Sequence, residues 1–534
     1  MSKKKYVWLV CMFLIMIALL VAGCSGNNKE TTPNNENEKD LNLPGNNGSN
    51  NEEITADEPV YGGTLRVIVA SGPTAIGHPT EGGVARIAAG FPGVESLLGL
   101  MDDNQGLEPL LAESWLEDPD NMTITFKLRE GVKFHDGSEL TAEVVKWNFE
   151  FFKSKSRLRY VDYLDEIEVK DKYTVVFHLN NWVNLILGEW SVMGLYSQKA
   201  IEENGEDWAY THLVGTGPFK LEKFTRDVGA NWIKNEDYWQ EGQPYLDRVE
   251  YYYIPEQSTA SMMMEAGEAD IWTAADALNT SRLAEKGFVV QKSWAGQETV
   301  IIPNTLDPNS PFQDKRLREA VEYALDKQAL AAALGYGLFE PIDTIVSRGM
   351  PGGDKQFRSY DPEKARQLLQ EAGYTDGLPI SIIAQVGSGG RNEIAEAVAG
   401  YLNEVGFKVE LDIADAGRFL EEVWNGNWKD LAVAVTATTN LASMHIWWGP
   451  QGIFVGGLRR PDEFVDMFRA SLQLRTKAEQ DQAMAEMVHF IAEEALVIPV
   501  YHEPVRLIHN GKVHTDYLRQ GQGRWKFNEV WIEK

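Results

Sequence analysis

Cysteine is nearly absent from this chain of 534 residues: there are two, Cys11 and Cys24, and none from residue 25 onward. Disulfides and thiolate metal sites are thereby excluded from the body of the protein, whose fold must depend on a large core. Basic charge is also scarce. Against 79 Asp and Glu stand 50 Lys and Arg, a formal net charge of −29. That balance, with no RNA- or DNA-binding motif, argues against a nucleic-acid partner. It suits a solvated acidic surface and is compatible with cationic ligands. The short catalytic signatures are missing too: no HExxH, no P-loop, no GxGxxG after a strand and no GxSxG elbow. No nucleophile–base pair or paired-carboxylate motif is recognisable, so neither an enzyme nor a cofactor is expected. Beyond the N-terminal segment there is no internal repeat and no second membrane-length apolar run.

What is present begins with Lys3, Lys4 and Lys5, an apolar run from Tyr6 to Ala22, and then Gly23, Cys24 and Ser25. A positive n-region, an apolar h-region and a small-residue cleavage site describe an export signal. Val21-Ala22-Gly23-Cys24 resembles the bacterial lipobox, in which cleavage falls just before a cysteine that receives a diacylglyceryl group. The alternative is an uncleaved anchor, because roughly 17 apolar residues lie at the short end of a bilayer span. Either way the bulk of the protein lies outside the cytosol. The expectation is a lipoprotein signal over 1–23, lipidation at Cys24 and a disordered tether over 24–59. Rich in Asn, Glu, Gly and Pro, the tether cannot bury enough surface to offset its ordering entropy. Such a leash of about 35 residues reaches roughly 30 Å as a coil.

About 475 residues remain, more than one hydrophobic core usually holds, so two or three domains are expected. They open with Tyr61-Gly62-Gly63-Thr64-Leu65-Arg66-Val67-Ile68-Val69, a turn and a strand. Later come the strand Thr123–Arg129 and the stretch Gly131-Val132-Lys133-Phe134-His135-Asp136-Gly137. Thr141 then reads as the N-cap of a helix whose apolar face is Val145, Phe149 and Phe152. Further on stand Gly215-Thr216-Gly217-Pro218-Phe219, Asn235-Glu236-Asp237-Tyr238-Trp239, the run Pro311–Lys327, Asp361–Leu369 with Glu371-Ala372-Gly373-Tyr374, and Val497-Ile498-Pro499-Val500-Tyr501-His502. In this order the segments resemble family 5, the peptide/nickel family of ABC-transporter solute-binding proteins, over nearly all of 60–534. The signatures read as structural. His135 is a turn residue rather than a metal ligand, Gly215, Gly217 and Pro218 shape a chain reversal, and Arg316 and Arg318 fall on a solvated helix face.

The resemblance implies an α/β fold of the two-lobed periplasmic-binding-protein type (type II, in the large cluster with an extra inserted subdomain). Lobe one would hold 60–302 and 500–534, with the subdomain near 96–205, and lobe two 303–499. The hinge crossings would lie beside Ile302-Pro303-Asn304 and Ile498-Pro499-Val500. A monomer would enclose a small solute, peptide-like or a metal chelate, and deliver it to membrane permease subunits. A sensory or chaperone-like binder on the same fold, and an extracellular hydrolase, are the alternatives.

Loops at strand ends face the crevice in open α/β sheets. They nominate Thr74, Ile76 and His78 after the first strand, Trp294 after the strand Gln291-Lys292-Ser293, and Asn304 at the hinge. Lobe two adds Thr438, His445, Trp447 and Trp448. In peptide-binding relatives this second-lobe loop carries an aspartate that pairs with the peptide amino terminus. Ala434 to Gly457 has no Asp or Glu, which puts an ordinary oligopeptide in doubt and suits an uncharged, anionic or chelated cargo. His445 would serve a metal chelate; otherwise it hydrogen-bonds within its loop. Read as an extended segment, Trp447 and Trp448 point to opposite faces, one to the core and one to the crevice.

Overall fold

The computed structural model describes residues 58–78, 92–101, 106–155, 160–190, 193–386, 391–454, 456–515, 517–518 and 525–534. The signal segment, Cys24 and the tether up to residue 57 lie outside the described residues. Strand β1 (Thr64–Val69) is followed by the short pair β2 (Leu98–Leu100) and β3 (Leu107–Pro109). Then come β4 (Ala112–Asp118), β5 (Thr123–Leu128), β6 (Leu164–Asp171) and β7 (Thr174–Leu179), a separate antiparallel sheet in the order β4-β5-β7-β6. A helix, Ala142–Ser154, lies between β5 and β6, capped by Thr141 and burying Val145, Phe149 and Phe152 as their spacing predicts. The chain continues through β8 (Phe219–Thr225), β9 (Gly229–Lys234), β10 (Arg248–Tyr253) and β11 (Ile271–Trp272). Next are the long β12 (Val289–Pro303) and the short β13 (Glu340–Pro341), then β14 (Leu378–Gln385), β15 (Phe407–Ala414) and β16 (Leu431–Thr436). The long β17 (Ile498–His509) and a terminal pair, β18 (Val513–His514) and β19 (Trp531–Ile532), close the order.

Among the described residues eleven strands join in one sheet, β15-β14-β16-β12-β17-β11-β1-β10-β9-β8 with β13 alongside β17. Strand directions place the crevice. In lobe one β1 runs parallel to β10 and β11, and in lobe two β14 runs parallel to β15 and β16. Because β17 is antiparallel to both β11 and β12, β12 points the same way as β1. It then meets β16 head-on, antiparallel, from Glu298↔Thr436 to Pro303↔Leu431. The carboxyl ends of the two lobes' parallel strands therefore face one another, where ligands enter α/β sheets. β12 and β17 carry the chain across the gap.

The crossing shows in the ladder itself. The β12–β17 register breaks between Lys292 and Gly296, the mark of a bulge that bends a strand. At Gly296 a Cβ would lie 2.1 Å from the Glu503 carbonyl oxygen, so only glycine allows the two strands to approach this closely. Ile302-Pro303 and Ile498-Pro499, expected beside the hinge, instead lie inside the lobe-two ladder: Ile302 pairs with Ala432 and Ile498 with Ile301. A proline in a buried strand reads as an interruption, but Pro303 is the last residue of β12 and Pro499 lies opposite Val300, at the register shift between Thr299 and Val300, the strand ends and irregularities where proline is tolerated. Alternation then sorts lobe two into two cores. Val300, Ile302, Ala432 and Ala434 pack on one face of the sheet, and Ile301, Leu431 and Val433 on the other, as the period of two requires.

The sequence signatures of lobe one converge on one knot. His135 accepts from Gly215 N at Nδ1 and donates from Nε2 to the Gly217 carbonyl at 2.9 Å. A Cβ at Gly215 would lie 2.1 Å from the Gly93 carbonyl oxygen, so these glycines serve close approach. Glu95, buried, accepts from Thr216 Oγ1 (2.8 Å), Tyr238 OH (2.7 Å) and Trp239 Nε1 (2.9 Å). Arg318 departs from the expected solvated face. It is 5% exposed and donates to the carbonyls of Phe312, Gln313 and Glu494, tying its helix to the loop before it. Arg316 is exposed and pairs with Asp314.

Candidate functional site

Lobe two presents the carboxyl end of β16 and the loop that follows. Asn440 caps the next helix, Leu441–Trp448, in a capping box with Ser443. The segment is thus helical, not extended, and both tryptophans turn inward. Trp448 is fully buried and donates from Nε1 to Thr438 Oγ1 at 3.0 Å. Trp447, also buried, donates to the Ala437 carbonyl at 3.0 Å. They brace the loop from behind rather than dividing between core and crevice. His445 leaves the loop altogether. Its Nε2 is 2.9 Å from Ser471 Oγ and its ring meets Phe468 edge-on. Burial holds its pKa down at about 4, so the imidazole is neutral.

The other candidates scatter. Trp294 lies half-buried on β12 at the crossing. Thr74 is exposed in the loop after β1, but Ile76 and His78 are buried against a turn of lobe one. Ile76 N donates to the Tyr210 carbonyl, and the His78 ring stacks on Tyr210 at 4.7 Å, with Nε2 3.5 Å from Glu206 Oε2. Asn304 belongs to the far pole of lobe two. It is buried, donates to the Trp428 carbonyl and accepts from Leu306 N and Asp307 N. Of the nine residues nominated, Trp294 lies on β12 before the chain enters lobe two and Thr438 follows the carboxyl end of β16, with Trp447 and Trp448 bonded to the loop beside it.

Two residues that the sequence reading missed stand there as well. Glu298 faces Thr436 and His502 across the sheet. Its Oε2 accepts from Thr438 N at 3.1 Å, and its Oε1 lies 3.3 Å from His502 Nδ1. Burial pushes the Glu298 pKa up, partly offset by His502. The available signal was a charged side chain directly before the buried run Thr299–Pro303, where an acid is costly without a purpose.

The profile of bacterial extracellular solute-binding proteins, family 5 Middle, matches residues 106–449, more than half of the chain. This chain is a family 5 bacterial extracellular solute-binding protein. The glutathione-binding protein GsiB of Salmonella typhi is 29% identical over 391 residues, covering 71% of this solute-binding protein and 75% of GsiB. Among solved structures, NikA from Brucella suis in complex with Fe(III)-EDTA superposes with a TM-score of 0.78 at 21% identity, over 88% of this chain and all of that one. DppA from Helicobacter pylori in complex with the peptide STSA gives 0.74 at 22%, over 89% of this chain and 99% of that one. At such identities these two show the fold: α/β, of the periplasmic-binding type. The family's members bind solutes and pass them to ABC importers. Among the described residues no helix is long and apolar enough to cross a membrane.

Proposed function

We propose that this protein is the extracytoplasmic receptor of an ABC importer, closing its two lobes on a small peptide-like solute of the glutathione class. Cys24 would hold it, lipid-anchored, at the outer face of the cytoplasmic membrane. The observation that carries this reading is the opposed pair of strand ends with β12 and β17 crossing between them, a geometry suited to hinge closure. The solute class is supported by the curated relative named for glutathione. A metal-chelate cargo is less well served, because His445 is engaged with Ser471.

Closure is driven only by the difference in the solute's affinity for the closed and open states. Small-angle scattering and thermal unfolding of the mature protein with glutathione test the proposal. The radius of gyration should fall, and stability should rise by about 2.7 kcal/mol at a hundredfold excess over Kd. Solute recovered chemically unchanged separates a receptor from a hydrolase. If neither glutathione nor the tetrapeptide Ser-Thr-Ser-Ala changes either observable, the peptide-like reading fails.

A further inference from the structure

Glu298 sits where β12 enters lobe two, two residues beyond Gly296 and opposite the carboxyl end of β16. Directly opposed residues on neighbouring strands put their side chains on one face, so His502, Glu298 and Thr436 form a row across β17, β12 and β16. The row is buried, with Glu298 1% and His502 2% exposed. Among the described residues no Lys or Arg pairs with Glu298; its ionisable partner is His502.

The hydrogen bonds leave acceptors over. In the tautomer that gives Nδ1–H to Glu298, His502 carries a lone pair at Nε2, and that atom is buried without a partner. Thr436 Oγ1 is likewise buried and unpartnered. Glu298 Oε1 faces His502 Nδ1 and Oε2 accepts from Thr438 N, whereas a carboxylate offers about four acceptor sites. A site with spare acceptors, a carboxyl group and no Lys or Arg paired with it among the described residues matches a group with several N–H donors and a positive charge. A purely structural tie to Thr438 N needs only a neutral acceptor, and a buried carboxylate without a cation is costly.

We propose that Glu298, flanked by His502 and Thr436, receives the protonated amino group of the solute. The inference rests on the peptide-like reading above. It supplies from the hinge strand the acid that the loop Ala434–Gly457 lacks.

Calorimetry on the mature protein tests it, with glutathione, Ser-Thr-Ser-Ala and the N-acetylated form of each. In the parent, acetylation should weaken binding by about thirtyfold or more, the scale of losing one partner of a buried charge pair. Glu298→Gln should weaken the free-amine probes by a similar factor and leave the acetylated probes within about threefold of the parent. The parent comparison needs no variant, so it decides even if Glu298→Gln fails to fold. Equal affinity of the parent for free and acetylated probes overturns the assignment and leaves the solute class standing. So does a folded Glu298→Gln that binds glutathione as the parent does. A parent that binds none of the four probes overturns the peptide-like reading and this assignment with it.

Discussion

Glu95 is buried in lobe one with three donors on its carboxylate, and burial still pushes its pKa from 4.5 up to about 7. The folded state therefore holds a proton that the unfolded chain has already released. That contribution to stability is complete below about pH 4.5 and is lost as the pH rises through about 7. His135 acts in the opposite sense. Burial holds it at about 4 against an ordinary 6.5, so its contribution is present above pH 6.5 and lost as the pH falls through 4. Glu95→Gln isolates the first effect. Between pH 5 and pH 8 the parent should lose about 2 to 3 kcal/mol more unfolding free energy than the variant. Denaturant melts at the two values measure it, and parallel losses in both proteins would remove Glu95 as the titrating group. The motifs around Glu95 were readable as turns and strands. Their purpose was not, because Thr216, Tyr238 and Trp239 acquire it only by meeting a residue more than a hundred positions away.

At the level of elements, the segment expected to form the inserted subdomain is bonded to the end of the helix Asp462–Ser471. Asn184, between β7 and the helix Ile186–Trp190, donates from its backbone N to the Leu472 carbonyl. Its Nδ2 donates to the carbonyls of Ser471 and Leu474 at 2.8 and 2.7 Å. Gln473 Nε2 returns a bond to the Trp182 carbonyl. Contacts made between lobes favour the closed state and raise the apparent affinity for anything enclosed. Asn184→Ala removes two bonds, worth about 1 to 2 kcal/mol together, and should weaken solute binding about five- to thirtyfold with an intact fold. Titration calorimetry on the variant reads this directly, and an unchanged affinity would set the contact apart from closure. Element types were legible where periodicity was strong, as in Ala142–Ser154. They were not legible in Leu441–Trp448. Its run of Leu, Ala, Met, Ile and two Trp is buried on more than one side, and a short apolar run does not distinguish a strand from a helix. The Asn440–Ser443 capping box was the local signal that would have separated them.

For the whole molecule, the proposed lipid anchor at Cys24 would set where closure happens. With Cys24 as the acylated residue, Cys24→Ala should leave the protein unprocessed by the lipoprotein route and change its fractionation. A variant that migrates and partitions like its parent would rule the lipid anchor out. Order along the chain was enough to recognise the family, because turn glycines, capping residues and strand runs are local chemistry that survives in sequence. It was also enough to see that the second-lobe loop carries no acid. Which residues face the crevice was decided by pairing. Glu298 and Asn304 are six positions apart, roughly 20 Å along an extended strand, and nothing local says which end of that strand meets the other lobe. The antiparallel ladder from Glu298↔Thr436 to Pro303↔Leu431 sets Glu298 at the end of lobe two nearer lobe one and sends Asn304 to the opposite pole. A strand's neighbours are fixed by burial shared between distant segments, so that choice appears only when the chain is folded.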